Sequence, residues 1–120
     1  MSASMFERYG GFVSVSRVVS AFYDKALESP ILGPYFANAN MQRVIDHQTK
    51  FVASLMGGPA SYSNEELIRV HKGLNINEEA FFEMTDLFRE TLEDFDFDED
   101  DLNAVEKALN DRKPYVVTYS

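Results

Sequence analysis

A chain of 120 residues is the size of one domain with one core. Twenty acidic against eleven basic residues give a formal charge of −9, which repels phosphate backbones and anionic lipids, so neither nucleic acid nor a membrane is expected as a partner. With no cysteine there are no disulfides, iron–sulfur clusters or thiolate metal sites, and the two histidines, His47 and His71, are the only good nitrogen donors for a transition metal.

No apolar run approaches the ~20 residues that span a bilayer. The start, MSASMFERYGGF, lacks the basic head and apolar stretch of a signal peptide, so a cytoplasmic location is expected. Glycine and proline divide the chain at Gly10-Gly11, Pro30, Gly33-Pro34, Gly57-Gly58-Pro59, Gly73 and Pro114. Between these breaks the apolar spacing is helical. Phe12, Val15, Val19, Phe22, Tyr23 and Ala26 recur at three- and four-residue intervals and predict one buried face over Phe12 to Leu27. Ser29-Pro30 reads as an N-cap followed by proline at the first position of a short turn reaching Tyr35-Phe36.

A helix is predicted from Met41 to Met56, its stripe being Met41, Val44, Ile45, Phe51, Val52 and Leu55, with Gly57-Gly58-Pro59 as its stop. Ser63 with Glu66 makes a capping-box pattern for a short helix carrying Leu67, Val70 and His71, closed by Gly73. Asn77 caps a helix whose stripe is Phe81, Met84, Phe88, Leu92 and Phe95, and a last helix runs from Asp98 or Asp100 to Lys113. The only strand-like stretch, YVVTY in the tail, is too isolated to make a sheet. The fold class is all-α, a single domain over residues 1–120 with a few antiparallel or crossed helices around one core.

The acidic run EDFDFDEDD, residues 93–101, invites a calcium reading, but an EF-hand loop beginning at Asp94 needs glycine at its sixth place and glutamate at its twelfth, where this chain has Glu99 and Val105. A solvated turn that favours the start of the final helix is the better reading.

At about 100° per residue, Gln48 falls at the centre of the apolar stripe of its helix, while His47 falls at the edge beside Phe51. A buried amide left without partners costs about 1–3 kcal/mol per group, and Tyr23, well inside the apolar face of the earlier helix, carries a hydroxyl with the same need. The two are expected to share one polar spot in an aromatic-lined space, the usual form of a small-ligand pocket. His71 lies towards the apolar side of its short helix, where a lone histidine is most often a satisfied core or boundary residue. Two histidines do not complete a zinc site without carboxylates at matching places. Haem, which brings four nitrogens of its own, needs only one or two, and helices bearing His47 and His71 can lie on opposite sides of it.

RYGG, AFYDKALESP, YFANANM, HQTKF, MGGPASY and IRVHKGLNI, in this order, give the chain a resemblance to the truncated haemoglobins, most of all their group I, strongest from Phe6 to Leu92. The resemblance implies a two-over-two α-helical globin sandwich around one b-type haem. It implies that His71 binds the iron, that Phe36, Phe51 and Tyr62 contact the haem, and that Tyr23 and Gln48 stabilise bound oxygen by hydrogen bonds. His47 matches a position that reaches a haem propionate or binds the metal as a sixth ligand, and both roles stay open. Val44 stands at a ligand-side position where many members carry glutamine, and Val52 and Met84 border the apolar ligand tunnel. No histidine in the last helix is available for a covalent haem link.

The function so implied is reversible binding, and with it transport, of O₂ and other diatomic ligands such as CO and NO, by a protein expected to be a monomer. The alternatives are nitric oxide dioxygenation or electron transfer, either of which needs a separate reductase because the chain has no flavin or nicotinamide fingerprint. A haem-free helical interaction module, its polar residues purely structural, is the reading from a different class.

Overall fold

Several helices begin and end where short-range chemistry predicts. The computed structural model describes residues 4–58, 64–71 and 76–117, with the backbone alone at Asn64, Leu67, Val70 and His71. Its elements are α1 (Met5–Arg8), α2 (Gly11–Glu28), a 3-10 turn (Gly33–Phe36), α3 (Met41–Leu55), α4 (Asn64–His71), α5 (Glu78–Asp94), α6 (Glu99–Asp111) and α7 (Lys113–Val116). Ser4, Asn40 and Asn77 start α1, α3 and α5, each side chain accepting a backbone N–H of the first turn. The Ser29 hydroxyl accepts the N–H groups of Ile31 and Leu32, so it caps the turn after α2 as expected, although regular 3-10 structure begins only at Gly33. The Ser63 capping box, Pro59 and Gly73 lie outside the described residues.

Two helices end in the same way. At the end of α3 the Gly58 N–H donates to the Ala53 carbonyl at 2.8 Å and the Gly57 N–H to Ser54 at 3.3 Å, a Schellman turn with Gly57 at φ 80°. Gly58 also needs its missing side chain, since a Cβ there would lie 2.8 Å from the Phe6 ring. At the end of α5 the Phe97 N–H reaches Leu92 and the Asp96 N–H reaches Glu93, with Asp96 at φ 62° in the position glycine usually takes. The alternating Asp and Phe residues of EDFDFDEDD therefore end one helix and begin the next. Among the described residues no group of three or more metal-binding side chains gathers there or elsewhere.

Two helix pairs carry the fold: α2 packs on α3, α5 packs on α6, and α2 also packs on α5. The described residues contain no strand, so the chain is all-α, and the tail that looked strand-like is helical at Tyr115 and Val116. The last helix breaks at Arg112 instead of running to Lys113, and Pro114 sits in the first turn of α7, where its missing N–H costs nothing. Val15, Val19, Phe81 and Leu92 are almost wholly buried, each stabilising by about 1.5–3 kcal/mol relative to exposure. Phe22 links the pairs, its ring edge-on to Tyr23 at 4.9 Å and to Phe88 at 5.4 Å. Phe12, expected inside, is 43% exposed, because the glycine turn before α2 leaves it at the rim against Phe6. Phe95 is 38% exposed as the last residue around the end of α5.

The acidic run is not wholly solvated, which corrects the expectation for one residue. Asp101 is buried, accepting both terminal nitrogens of Arg8 at 2.9 and 2.8 Å and the Tyr9 hydroxyl at 2.6 Å. The Arg8 guanidinium, helped by Tyr9, holds the Asp101 carboxyl below the usual carboxylate range against the opposing effect of burial. Tyr9 also stacks on Phe97 at 3.8 Å and accepts the Asp98 N–H. These contacts fasten α1 to the start of α6. None of the described helices is long and apolar enough to cross a membrane.

Candidate functional site

Between the helix pairs lies a cavity with about 1130 Å³ of space, counting the part open to solvent. Its walls come from α2, the 3-10 turn, α3, α5 and the α6–α7 junction. Phe22, Phe36, Phe51, Phe81 and Phe88 make them strongly aromatic, and Val19, Val52 and Met84 fill the gaps between rings.

Burial is uneven along α3. Phe51, Val52 and Ala53 at its C-terminal end are packed in the core, whereas Met41, Val44, Ile45 and Gln48 are half-buried. Helical phase placed Gln48 on the inward face correctly; what lies inward of it is open space, not close-packed side chains. Tyr23 reaches the same cavity from α2, buried to 7% exposure and edge-on to Phe36 at 5.3 Å. Tyr23, Phe36, Val44, Gln48 and Phe51, which come from three different segments, thus line one space, together with Val52 and Met84.

His47 is exposed on the outer side of α3 and is not among the cavity-lining residues, so the two adjacent polar residues of HQTKF point to different surroundings. Arg43 and Lys50, also exposed, flank it along the same helix. His71 closes α4, and α4 packs against α7, whose Val116 lines the cavity. The His71 side chain and the whole of Tyr62 lie outside the described residues.

Several wall residues carried no signal as site residues. Tyr35 and Leu109 look like ordinary core positions by spacing, and Arg112 looks like one more surface cation, yet all three face the cavity. The polar residues of the lining are few: Tyr23, Gln48, Tyr35 and Arg112 among otherwise apolar ones. Such a donor set suits a flat, mostly apolar molecule with acidic groups on its edge and a small polar ligand at its face. Haem, an apolar macrocycle bearing two carboxylates, has that chemistry.

The sequence profile of the family described as Bacterial-like globin matches residues 4–117. A group 1 truncated hemoglobin of Tetrahymena thermophila is 27% identical over 106 residues, covering 88% of each chain. A group 1 truncated hemoglobin of Mycolicibacterium paratuberculosis is 34% identical over 79 residues, which cover 66% of this chain and 58% of that relative. Among solved structures, the truncated hemoglobin of Tetrahymena pyriformis in its Fe(III) form has a TM-score of 0.87 at 24% identity, covering 96% of this chain and 98% of that one. The 2/2 hemoglobin of a Synechococcus, solved in the cyanomet state with covalently attached heme, has the same TM-score and coverage at 21% identity. The two-over-two helical sandwich, the aromatic cavity between its layers and the profile match over nearly the whole chain lead to one assignment: the chain belongs to the bacterial-like globins, as a haem-binding truncated haemoglobin.

Proposed function

We propose that the protein holds a b-type haem through His71 and reversibly binds O₂, and also CO and NO, on the opposite side of the haem. The observation that carries the reading is the presence of two hydrogen-bonding side chains, Tyr23 and Gln48, on the wall of one otherwise aromatic cavity. Haem supplies a ferrous iron able to take a diatomic ligand. The chain supplies the rest. Phe36 and Phe51 offer flat apolar contact, Val44 keeps the wall beside Gln48 free of further polar groups, and the aromatic lining offers water few partners. In such an apolar space the Tyr23 hydroxyl and the Gln48 amide donate to a small ligand that carries partial negative charge, and each donor is stronger than it would be in water.

The test is the oxygen dissociation rate of the haem-loaded Tyr23→Phe, Gln48→Leu double variant. Loss of each donor is expected to speed release on the order of tenfold, the equivalent of one charge-assisted hydrogen bond. A double variant that releases oxygen at the parent's rate would sink the assignment of both residues.

The exposed position of His47 favours an iron whose distal side is open to external ligands, with His47 reaching the haem edge or solvent. Binding of His47 as a sixth ligand requires α3 to turn so that an outward residue replaces an inward one. Conversion of NO to nitrate belongs to the same site with a separate reductase added, and sustained turnover in the presence of a reductase distinguishes that enzymatic cycle from a single reaction.

A further inference from the structure

Half of the ten cations among the described residues are already spoken for. Arg8, Lys25, Arg89, Lys107 and Lys113 each lie within ion-pair distance of a carboxylate. Arg17, Arg43, Lys50 and Arg69 have no such partner among the described residues but are exposed, so water solvates them. Arg112 is different. It is half-buried and lines the cavity, and among the described residues no carboxylate pairs with it, in a chain with nine more acidic than basic groups.

Its one described hydrogen bond runs from one terminal nitrogen to the Ala108 carbonyl at 2.8 Å. That bond anchors the side chain to the last turn of α6 and leaves most of the five donors of the guanidinium for something else. A partly desolvated guanidinium without a counter-charge is unfavourable, and its planar fork matches the two oxygens of a carboxylate or other oxyanion. It stands at the α6–α7 junction, immediately before the helix that packs on α4, and the neighbouring wall at Leu109 and Val116 is apolar. We propose that Arg112 is an oxyanion site at this end of the cavity, its counter-charge arriving with what the cavity binds: a carboxylate of the haem or a small free oxyanion such as nitrite or nitrate. The first source rests on the haem reading above.

The test compares Arg112→Gln, which keeps a donor for Ala108, and Arg112→Lys, which keeps the charge, with the parent. All are loaded with either haem or haem dimethyl ester, and the rate of transfer to an excess of apomyoglobin is measured. If the haem carboxylate is the partner, Arg112→Gln loses haem about tenfold faster, Arg112→Lys recovers much of the difference, and the ester, whose carboxylates are blocked, leaves parent and variant at the same rate. If a free oxyanion is the partner, haem loss is unchanged, while nitrate, a very weak ligand of the iron itself, shifts the ferric spectrum of the parent saturably and that of Arg112→Gln does not. Equal haem loss together with equal anion response overturns the assignment, as does an equal acceleration for haem and ester, which means lost packing only. A parent chain that takes up no haem overturns the haem reading instead, and titration of the haem-free parent and Arg112→Gln with nitrite still decides the oxyanion site.

Discussion

Replacement of Tyr9 by Phe isolates the contact that ties the first helix to the last helix pair. The ring stays, so the stack on Phe97 at 3.8 Å is retained, and what goes is the hydroxyl that donates to Asp101 at 2.6 Å and accepts the Asp98 N–H at 3.0 Å. A hydrogen bond to a charged group contributes about 1.5–3 kcal/mol. The lower end applies, because Asp98 is exposed, so water can accept its N–H, and Asp101 keeps the two Arg8 bonds. The expected loss is about 1.5 kcal/mol, or roughly 4–8 °C in the midpoint of thermal unfolding for a chain of this length. The loss also depends on pH. Asp101 titrates lower in the folded than in the unfolded protein, so its stabilisation is full above pH ~4 and fades as pH falls through the folded value. The penalty of Tyr9→Phe should shrink over that acid range, as the carboxylate that made the bond strong is protonated. Urea titrations at neutral and acid pH measure both quantities. A variant within about 0.5 kcal/mol of the parent at neutral pH, as surface substitutions usually are, would refute the reasoning, and so would a penalty that does not change on acidification.

Asp96→Gly should stabilise the fold by ~0.5 kcal/mol, since glycine relieves the left-handed backbone at φ 62° but costs some unfolded-state entropy, and chemical denaturation would show it as a higher midpoint with an unchanged slope. Gly58→Ala should destabilise by about 1–3 kcal/mol because the new Cβ would stand 2.8 Å from the Phe6 ring and 3.0 Å from the Ala53 carbonyl oxygen, and a parent-like midpoint would show that α1 yields easily. His47→Ala should leave the visible spectrum of the ligand-free ferrous protein unchanged and high-spin, in keeping with the exposed position of His47. A split, low-spin parent spectrum that disappears in the variant would mean instead that α3 turns and places His47 on the iron.

Local rules were legible in this sequence wherever cause and effect lie within a few residues. Asn77 capping α5, the Gly57-Gly58 stop after α3 and the inward phase of Gln48 all follow from spacing and side-chain chemistry, and all are seen. The exposed Phe12 was misjudged because periodicity reports which way a residue faces and not how far the core extends along the helix. Asp101 was misjudged for another reason. Its partners Arg8 and Tyr9 lie 93 and 92 positions away, so nothing near it in the chain marks it out from the acids around it.

Composition and short-range pattern by themselves determined an all-α chain, the ends of several of its helices, its excess of acid and its dependence on two histidines for any nitrogen bond to a metal. Tertiary packing decided what those faces enclose. An apolar stripe specifies only that a surface leaves water, and in α3 Val44, Gln48, Phe51 and Val52 of the inward face wall a cavity while Ala53 is buried without lining it. Which of the two occurs depends on the separation of helices joined through distant parts of the chain. The same separation brings Tyr23, Gln48 and Arg112 to one space while His47, next to Gln48 in the chain, stays in water.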